Sequence, residues 1–358
     1  MKKRVLYITT YQDDSPVKTG RASLSNTHIK ILKNIPEIAL SIFMLPKAKA
    51  SLRRLWGYLD GLSGSSIQSV IDTITTQNIT TVYIDGSNLG VLVGALKRQF
   101  PELVVITFFH NVEAHFFWGA FKKSVSLRSF LVMWANYYAE RKSVKCSDSI
   151  ITLNERDSIL LNTVYHREAS ALLPMIISSD FNSQDIPHQE SICVDKYCLF
   201  VGGAFYANLD GVRWYAKNVA PFVSIKTLVV GKGFERYKEA LEENKNIVVV
   251  GGVDNLYAYY YYAHFVIAPI FGGAGMKTKV AEALMYGKYV AATSEAMIGY
   301  ENAVPNDWRA CNTAEMFVSE INKKVGQVLP ATDYKLQCIY QHHFSVSAAE
   351  GIMSRILL

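Results

Sequence analysis

The stretch APIFGGAGMKTKVAEALMYG (residues 268–287) sets Gly272, Gly273 and Gly275 after an apolar run and before a helical pattern. Glycines allow positive φ and close backbone approach. A helix starting near Met276 would turn free N–H groups and a positive dipole end toward the turn, which favours an anion. Lys277 would add a full charge there, and Glu282, roughly one and a half turns into the helix, would accept hydrogen bonds from ligand hydroxyls. A glycine turn followed by a solvated helix face explains the same residues without a ligand. Lys277 therefore reads as a ligand contact or as a solvated helix start. Lys279 lies about 200° around the helix from Lys277, so the two cannot share one anion, and Lys279 is expected to be solvated. The dinucleotide fingerprint G-x-G-x-x-G is absent, because GGAGMK lacks its third glycine.

His110 ends the apolar run LVVITFF, at the carboxyl end of an expected strand, where open α/β sheets bind ligands. It reads as a ligand contact or as a loop histidine bonded to backbone. Glu113, three residues on, is by default a helix-start carboxylate. The loop TTYQDDSPVKTGRAS follows the first strand and brings Gly20 to the same edge. Its Asp13 and Asp14 raise the question of a metal, but an Asp pair in a proline-containing loop is ordinary turn chemistry. No D-x-D occurs in the chain. G-x-S-x-G, H-E-x-x-H and Walker A sequences are missing, so the serines and histidines support no hydrolase.

The 358 residues exceed one ordinary core, and two domains are the natural expectation. Half of them are hydrophobic and 19% charged, the balance of a globular chain. The five cysteines are scattered without a C-x-x-C pair, which reads as reduced, buried thiols in a cytoplasmic protein. The apolar run in MKKRVLYITTYQDD is short and reads as a strand rather than a signal peptide. No run approaches the roughly 18 apolar residues of a membrane span. A net charge of +6 permits an anionic ligand or lipid surface without demanding nucleic acid. Phe116–Lys142 sets Lys122, Lys123 and Arg128 among Phe116, Phe117, Trp118 and Phe121, and Ser51–Leu62 (SLRRLWGYLDGL) is a second such piece. Cations beside aromatics suit a monolayer with anionic lipids, and equally a core helix with a basic edge.

Short apolar runs predict strands at Arg4–Thr9, Ile38–Leu45, Thr81–Asp85, Leu103–Phe108, Ser149–Leu153 and Ala171–Leu173, with helical patterns between them. That order implies a parallel sheet with crossover helices. Pro174–Lys196 is polar, holds two prolines and shows no period, so it reads as a linker. The alternation restarts with strands at Tyr197–Val201, Lys226–Val230, Ile247–Val250, His264–Ala268 and Tyr289–Ala292. A helix over Thr278–Tyr286 precedes the last of them. Two such halves would bind a ligand in the cleft between them.

GGAGMKTKVAEALMYGKYVAAT resembles the donor-site signature of GT-B glycosyltransferases, the group 1, GT4-like enzymes that use nucleotide-sugars. YCLFVGGAFYANLDGVRWY, LVVGKG and NIVVVGGVDNLYAYYYYAHFVIAPIFGGAG resemble the family's C-terminal segments in order, and FFHNVEAHF and LNERD resemble two of its N-terminal ones. The resemblance implies an α/β fold of two doubly wound Rossmann-like domains facing a central cleft. An acceptor-side domain is expected over residues 1–174, a linker over 175–196 and a donor-binding domain over 197–340. A C-terminal helix over 341–358 would pack back on the first domain. Gly202 and Gly203 would face the phosphates, and Gly251–Asp254, with Val253, would line the base. Gly272, Gly273, Ala274, Gly275 and Met276 would meet the diphosphate and sugar, and Glu282 the ribose. His110 would contact donor phosphates or sugar. Gly20 would approach the donor, and Asp13, Asp14 and Glu113 would serve the acceptor side.

Two features depart from the family pattern. Its first motif glutamate falls near Gly273 or Ala274 and is missing, and the Arg/Lys pair after the first glycine loop is not evident. Lys277 is the expected counter-charge, with Lys279 or Lys232 as substitutes. The expected activity is transfer of a sugar from a nucleotide-diphosphate-sugar co-substrate to a hydroxyl of a glycan or lipid-linked glycan, with retention of configuration. It would serve cell-surface polysaccharide synthesis, in the cytoplasm or at the inner face of the membrane. The resemblance also implies no bound metal, and no permanently bound cofactor and no nucleic acid are expected. The alternatives are a non-catalytic nucleotide-sugar-binding protein and a GT-B-type sugar-nucleotide epimerase.

Overall fold

The computed structural model describes residues 2–10, 20–47, 51–178, 196–273, 275–306 and 308–358. The chain divides into two units, Met1–Ile176 with Val346–Leu358, and Ile177–Ser345.

The first unit holds six parallel strands: β1 (Lys3–Thr9), β2 (Ile38–Met44), β3 (Thr81–Asp85), β4 (Val104–Phe109), β5 (Ser149–Thr152) and β6 (Ala171–Leu172). Their order is β2-β1-β3-β4-β5-β6. Every residue of β3 is buried, as a central strand covered on both faces requires. Register pairs Tyr7 with Tyr83 and Ile8 with Ile84, so the carboxyl ends of β1 and β3 lie side by side. The winding direction reverses between these two strands, which makes their ends the ligand-binding edge of an open sheet. Helix α1 (Gly20–Asn34) connects β1 to β2, α2 (Gly64–Gln77) leads to β3 and α3 (Gly90–Gln99) to β4. Beyond β4 come α4 (Glu113–Lys123), α5 (Leu127–Cys146) and, after β5, α6 (Glu155–Tyr165). Ser126 closes a capping box at the start of α5, which stops α4 and α5 from merging into one helix.

The second unit holds β7 (Tyr197–Val201), β8 (Lys226–Val230), β9 (Ile247–Gly251), β10 (Phe265–Ala268) and β11 (Val290–Ala292) in the order β11-β10-β7-β8-β9. Its winding reverses between β7 and β10, which pair through Phe265 with Cys198 and Val266 with Leu199. The loops after β7 and β10 are therefore neighbours at the sheet's switch point. Helices α7 (Tyr206–Asn218), α8 (Lys238–Glu242), α9 (Tyr257–Tyr262) and α10 (Thr278–Met285) link these strands. The chain continues through α11 (Ser294–Met297), α12 (Ala314–Val325) and α13 (Tyr334–His343). The final helix, α14 (Val346–Leu357), packs against α1 in the first unit. Gly211 in α7 lets that helix meet the loop after β10, because a Cβ there would stand 2.0 Å from the Pro269 carbonyl oxygen.

Candidate active site

In the second unit, two glycine loops meet at the switch point. Gly202 follows β7 with φ +149°, a conformation closed to residues with a Cβ. Its would-be Cβ lies 2.5 Å from Asn208 Nδ2 and 3.3 Å from Lys279 Nζ. Gly203 is exposed and accepts from Asn208 Nδ2 through its carbonyl, 2.8 Å away. Across from them run Gly272, Gly273 and Gly275, with φ +125° at Gly273 and +66° at Gly275. Ala274 lies outside the described residues. Met276 is buried beside Gly299, and the Tyr300 hydroxyl donates to the Lys277 carbonyl at 2.9 Å, which pins the loop's exit.

Helix α10 starts at Thr278, as expected for the helix over Thr278–Tyr286, with Lys277 as its N-cap. Packing decides what each lysine does. The Lys277 amine donates to the Gly275 carbonyl at 2.8 Å and pairs with Glu295 at 3.2 Å. Lys279 is not solvated: it is 6% exposed, and its amine bonds Asn208 Oδ1 at 2.8 Å and lies 4.6 Å from the Phe200 ring centroid. Burial pushes the Lys279 amine down to about 7, with Glu282 opposing and Lys277 adding to the fall. No acid pairs with Lys279 among the described residues, so a buried cation faces the first glycine loop with only a neutral amide and an aromatic face. Such a charge is costly to keep and attracts an anion.

Glu282, one helical turn beyond Lys279, is half-buried and accepts from the Tyr260 hydroxyl at 2.6 Å. Burial raises its carboxyl, against the pull of Tyr260 and Lys279. Tyr260 stacks flat on Tyr286, with centroids 5.2 Å apart, so part of the tyrosine run braces Glu282. Gly251 takes φ +86°, Val253 is half-buried, and Glu235 binds this loop to the one after β8. Its carboxylate accepts from Gly233 N–H at 2.6 Å and Gly252 N–H at 2.5 Å. Nothing in the sequence singled out Glu235 or Asn208, because both act through backbone atoms or a side chain distant in sequence.

In the first unit, the β1–β3 edge carries a buried polar group centred on Asp85. Its Oδ2 accepts from Thr9 at 2.9 Å and Ser25 at 2.5 Å, and its Oδ1 lies 2.8 Å from His110 Nε2. Burial would raise the Asp85 carboxyl, but His110, Arg21 and His28 together hold it well below the usual carboxylate range. Burial lowers His110, against the pull of Asp85, so its ring is neutral near pH 7. Arg21, in the first turn of α1, reaches toward Gly86 and Asp60. His28 is fully buried, edge-on to Phe108 at 4.8 Å, and neither ring nitrogen has a hydrogen-bond partner among the described residues.

Glu113 opens α4, and burial pushes its carboxyl up to about 7 against the pull of Arg21, with Glu140 and Asp60 adding to the rise. Buried Glu140 caps α4 by accepting from the N–H groups of Glu113 and Ala114. Gly20 is the first residue of α1, while Asp13 and Asp14 lie outside the described residues. No cluster of metal-binding side chains occurs among the described residues.

Two doubly wound parallel sheets with glycine loops at their switch points define a GT-B-type α/β protein. Residues 195–323 match the sequence model of the family described as glycosyl transferases group 1. Sucrose-phosphate synthase of Thermosynechococcus elongatus superposes with a TM-score of 0.74 at 14% identity, covering 99% of this chain and 98% of that one. The Anabaena protein HepE, in complex with UDP and glucose, gives 0.66 at 12% identity over 99% of both chains. A glycosyltransferase of Rickettsia africae gives 0.67 at 13% identity, covering 99% and 98%. At these identities the likeness concerns the fold. None of the curated proteins compared with the chain matches it significantly. The chain has the GT-B fold, and its residues 195–323 match the group 1 model.

Proposed function

We propose that the protein transfers a sugar from a nucleotide-diphosphate-sugar to a hydroxyl of a glycan or lipid-linked glycan. The observation that carries this is the buried Lys279 amine aimed at the Gly202–Gly203 loop, beside the glycine turn that opens α10. A diphosphate over the two loops would receive backbone N–H groups and one full positive charge. Both would stabilise the negative charge that grows on the leaving nucleoside diphosphate. Lys279 takes the role of counter-charge, and Lys277, paired with Glu295, holds the turn. Glu282, braced by Tyr260, receives ribose hydroxyls, and Gly251–Val253 line the base.

His110 of the first unit serves as a neutral hydroxyl-binding residue, and Glu113 as an acceptor-side contact. Retention of anomeric configuration is expected from the resemblance. NMR of the product anomer tests it, and a β-linkage from an α-donor would overturn it.

The exposed Trp118, Leu127, Phe130 and Trp134 of α4 and α5, with the Lys122 amine 5.4 Å from the Trp118 ring centroid, suit contact with an anionic membrane surface. No helix among the described residues is long and apolar enough to cross a membrane. We place the protein at the inner face of the membrane, in cell-surface polysaccharide synthesis.

A thermal-shift screen of nucleotide-sugars, followed by assay of donor turnover with acceptor extracts, tests the reading. Stabilisation by one donor with transfer supports it. Stabilisation without turnover would instead indicate a binding protein, consistent with Gly273 and Ala274 standing where relatives keep a glutamate. Epimerisation of free donor would point to the epimerase alternative.

A further inference from the structure

We propose that Asp85 is the positioning residue of His110: by accepting the Nε2–H it fixes the neutral ring in one tautomer and makes Nδ1 an acceptor for a hydroxyl of the carbohydrate substrate. The proposal rests on the reading of His110 as a substrate-binding residue given above.

The two oxygens of Asp85 have different partners. Oδ2 is taken by the Thr9 and Ser25 hydroxyls, so Oδ1 is left for His110 at 2.8 Å. Ser25 Oγ also lies 3.0 Å from the Arg21 carbonyl, which competes for its one proton, and Thr9 ends β1, so α1 and β1 set where both hydroxyls stand. The carboxylate cannot rotate without losing them. Asp85 is 1% exposed at the end of the central strand β3, and its position is fixed by the sheet register. The Phe108 ring stands edge-on to His110 at 4.9 Å and restricts the imidazole's swing.

The charged and titratable groups facing the pair come from separate elements. Arg21 and His28 lie on α1, and Asp85 ends β3. Arg21 disfavours a second proton on His110, as burial does. A neutral imidazole beside an ionised carboxylate must donate to it, and the ring's second nitrogen is then a lone-pair acceptor. No described residue hydrogen-bonds His110 Nδ1. This makes His110 a partner for a hydroxyl rather than for a phosphate oxygen, which would need a donor. His110 is therefore assigned to sugar recognition, and the phosphate contact expected from the sequence passes to the second unit.

The test is ¹⁵N NMR of the histidine ring nitrogens in the full chain at pH 7.5, with His110→Gln to assign its signals. The expected wild-type spectrum shows protonated Nε2 and bare Nδ1 on His110. A protonated Nδ1, or an imidazolium, overturns the proposal without any variant being needed. In Asp85→Asn, the bare-Nδ1 tautomer should lose its dominance. Release of nucleoside diphosphate from the stabilising donor should fall about 10- to 100-fold in kcat, the worth of one hydrogen bond left unmade, while the nucleotide still raises the melting temperature. Unchanged tautomer and unchanged rate in Asp85→Asn would remove Asp85 from the role. If His110→Ala also keeps full turnover, the reading of His110 as a substrate contact fails, and the hydroxyl half of the proposal with it. If His110→Ala is inactive and Asp85→Asn is fully active, only the Asp85 assignment falls.

Discussion

Lys279 and Asn208 are joined by a 2.8 Å hydrogen bond that links the first turn of α10 to α7, beneath the Gly202–Gly203 loop. Asn208 is held in turn by donating to the Gly203 carbonyl at 2.8 Å, so it can only accept from the lysine. The amide therefore presents a cation to the loop without neutralising it.

Lys279→Met should weaken nucleoside diphosphate binding about 10- to 100-fold, the worth of a charge-assisted hydrogen bond of roughly 1.5–3 kcal/mol. It should leave the ligand-free melting temperature unchanged or higher, since a buried charge is replaced by an apolar chain of similar volume. Calorimetric titration and thermal melts check both. Lys277→Met should instead lower stability through loss of the Glu295 pair, with a smaller effect on affinity.

The depressed Lys279 amine gives binding a pH dependence. Its folded value of about 7 lies below the ordinary 10.5, so between these values the unfolded chain holds more protons. Ligand-free stability should therefore rise with pH across that window. An anion binds the protonated form, so nucleotide affinity should fall above pH 7, with proton uptake on binding. Titrations in buffers of different ionisation enthalpy measure that uptake, which should be absent in Lys279→Met.

Glu282→Gln keeps the shape that Tyr260 packs against but replaces an acceptor-only group with one that also donates. Affinity for a nucleoside diphosphate should drop about 10-fold or more, while inorganic pyrophosphate binding stays near wild type. Equal losses for both ligands would move Glu282 from the ribose to the phosphates.

His28 makes the first unit acid-sensitive. Burial lowers its ring to about 4, against Asp85, while the unfolded value is 6.5. Stability from this residue is complete above pH 6.5 and falls as pH drops toward 4, by up to about 3 kcal/mol. His28→Phe should flatten that part of the stability-versus-pH curve, as read by urea melts at pH 7 and pH 4.5.

The exposed rings of α4 and α5 predict flotation with vesicles containing phosphatidylglycerol and release at high salt. Trp118→Ser with Phe130→Ser should abolish flotation without altering nucleotide binding. Unchanged flotation would return these helices to a purely structural role.

The strands and their alternation with helices were legible in the sequence, because parallel strands buried on both faces are short continuous apolar runs. Thr81–Asp85, Tyr197–Val201 and Lys226–Val230 match their expected bounds. The glycine loops were legible too, since backbone geometry rather than a partner selects glycine there. The start of α4 was legible as well, since Glu113 reads as a helix-start carboxylate and opens that helix.

Partnership between distant residues belonged to the tertiary structure alone. Spacing put Lys277 at the mouth of α10, where it is the N-cap, but Glu295 engages its amine. Lys279 became the buried cation only because α7 brings Asn208, 71 positions away in sequence, against it. Asp85 looked like the end of an apolar strand until β1, α1 and β4 delivered Thr9, Ser25 and His110 to its two oxygens. The sequence determined which residues lie at the carboxyl ends of the strands, because periodicity and turns are local. Strand order and helix packing decided which of those residues face one another, and so which charge is buried and which proton is held.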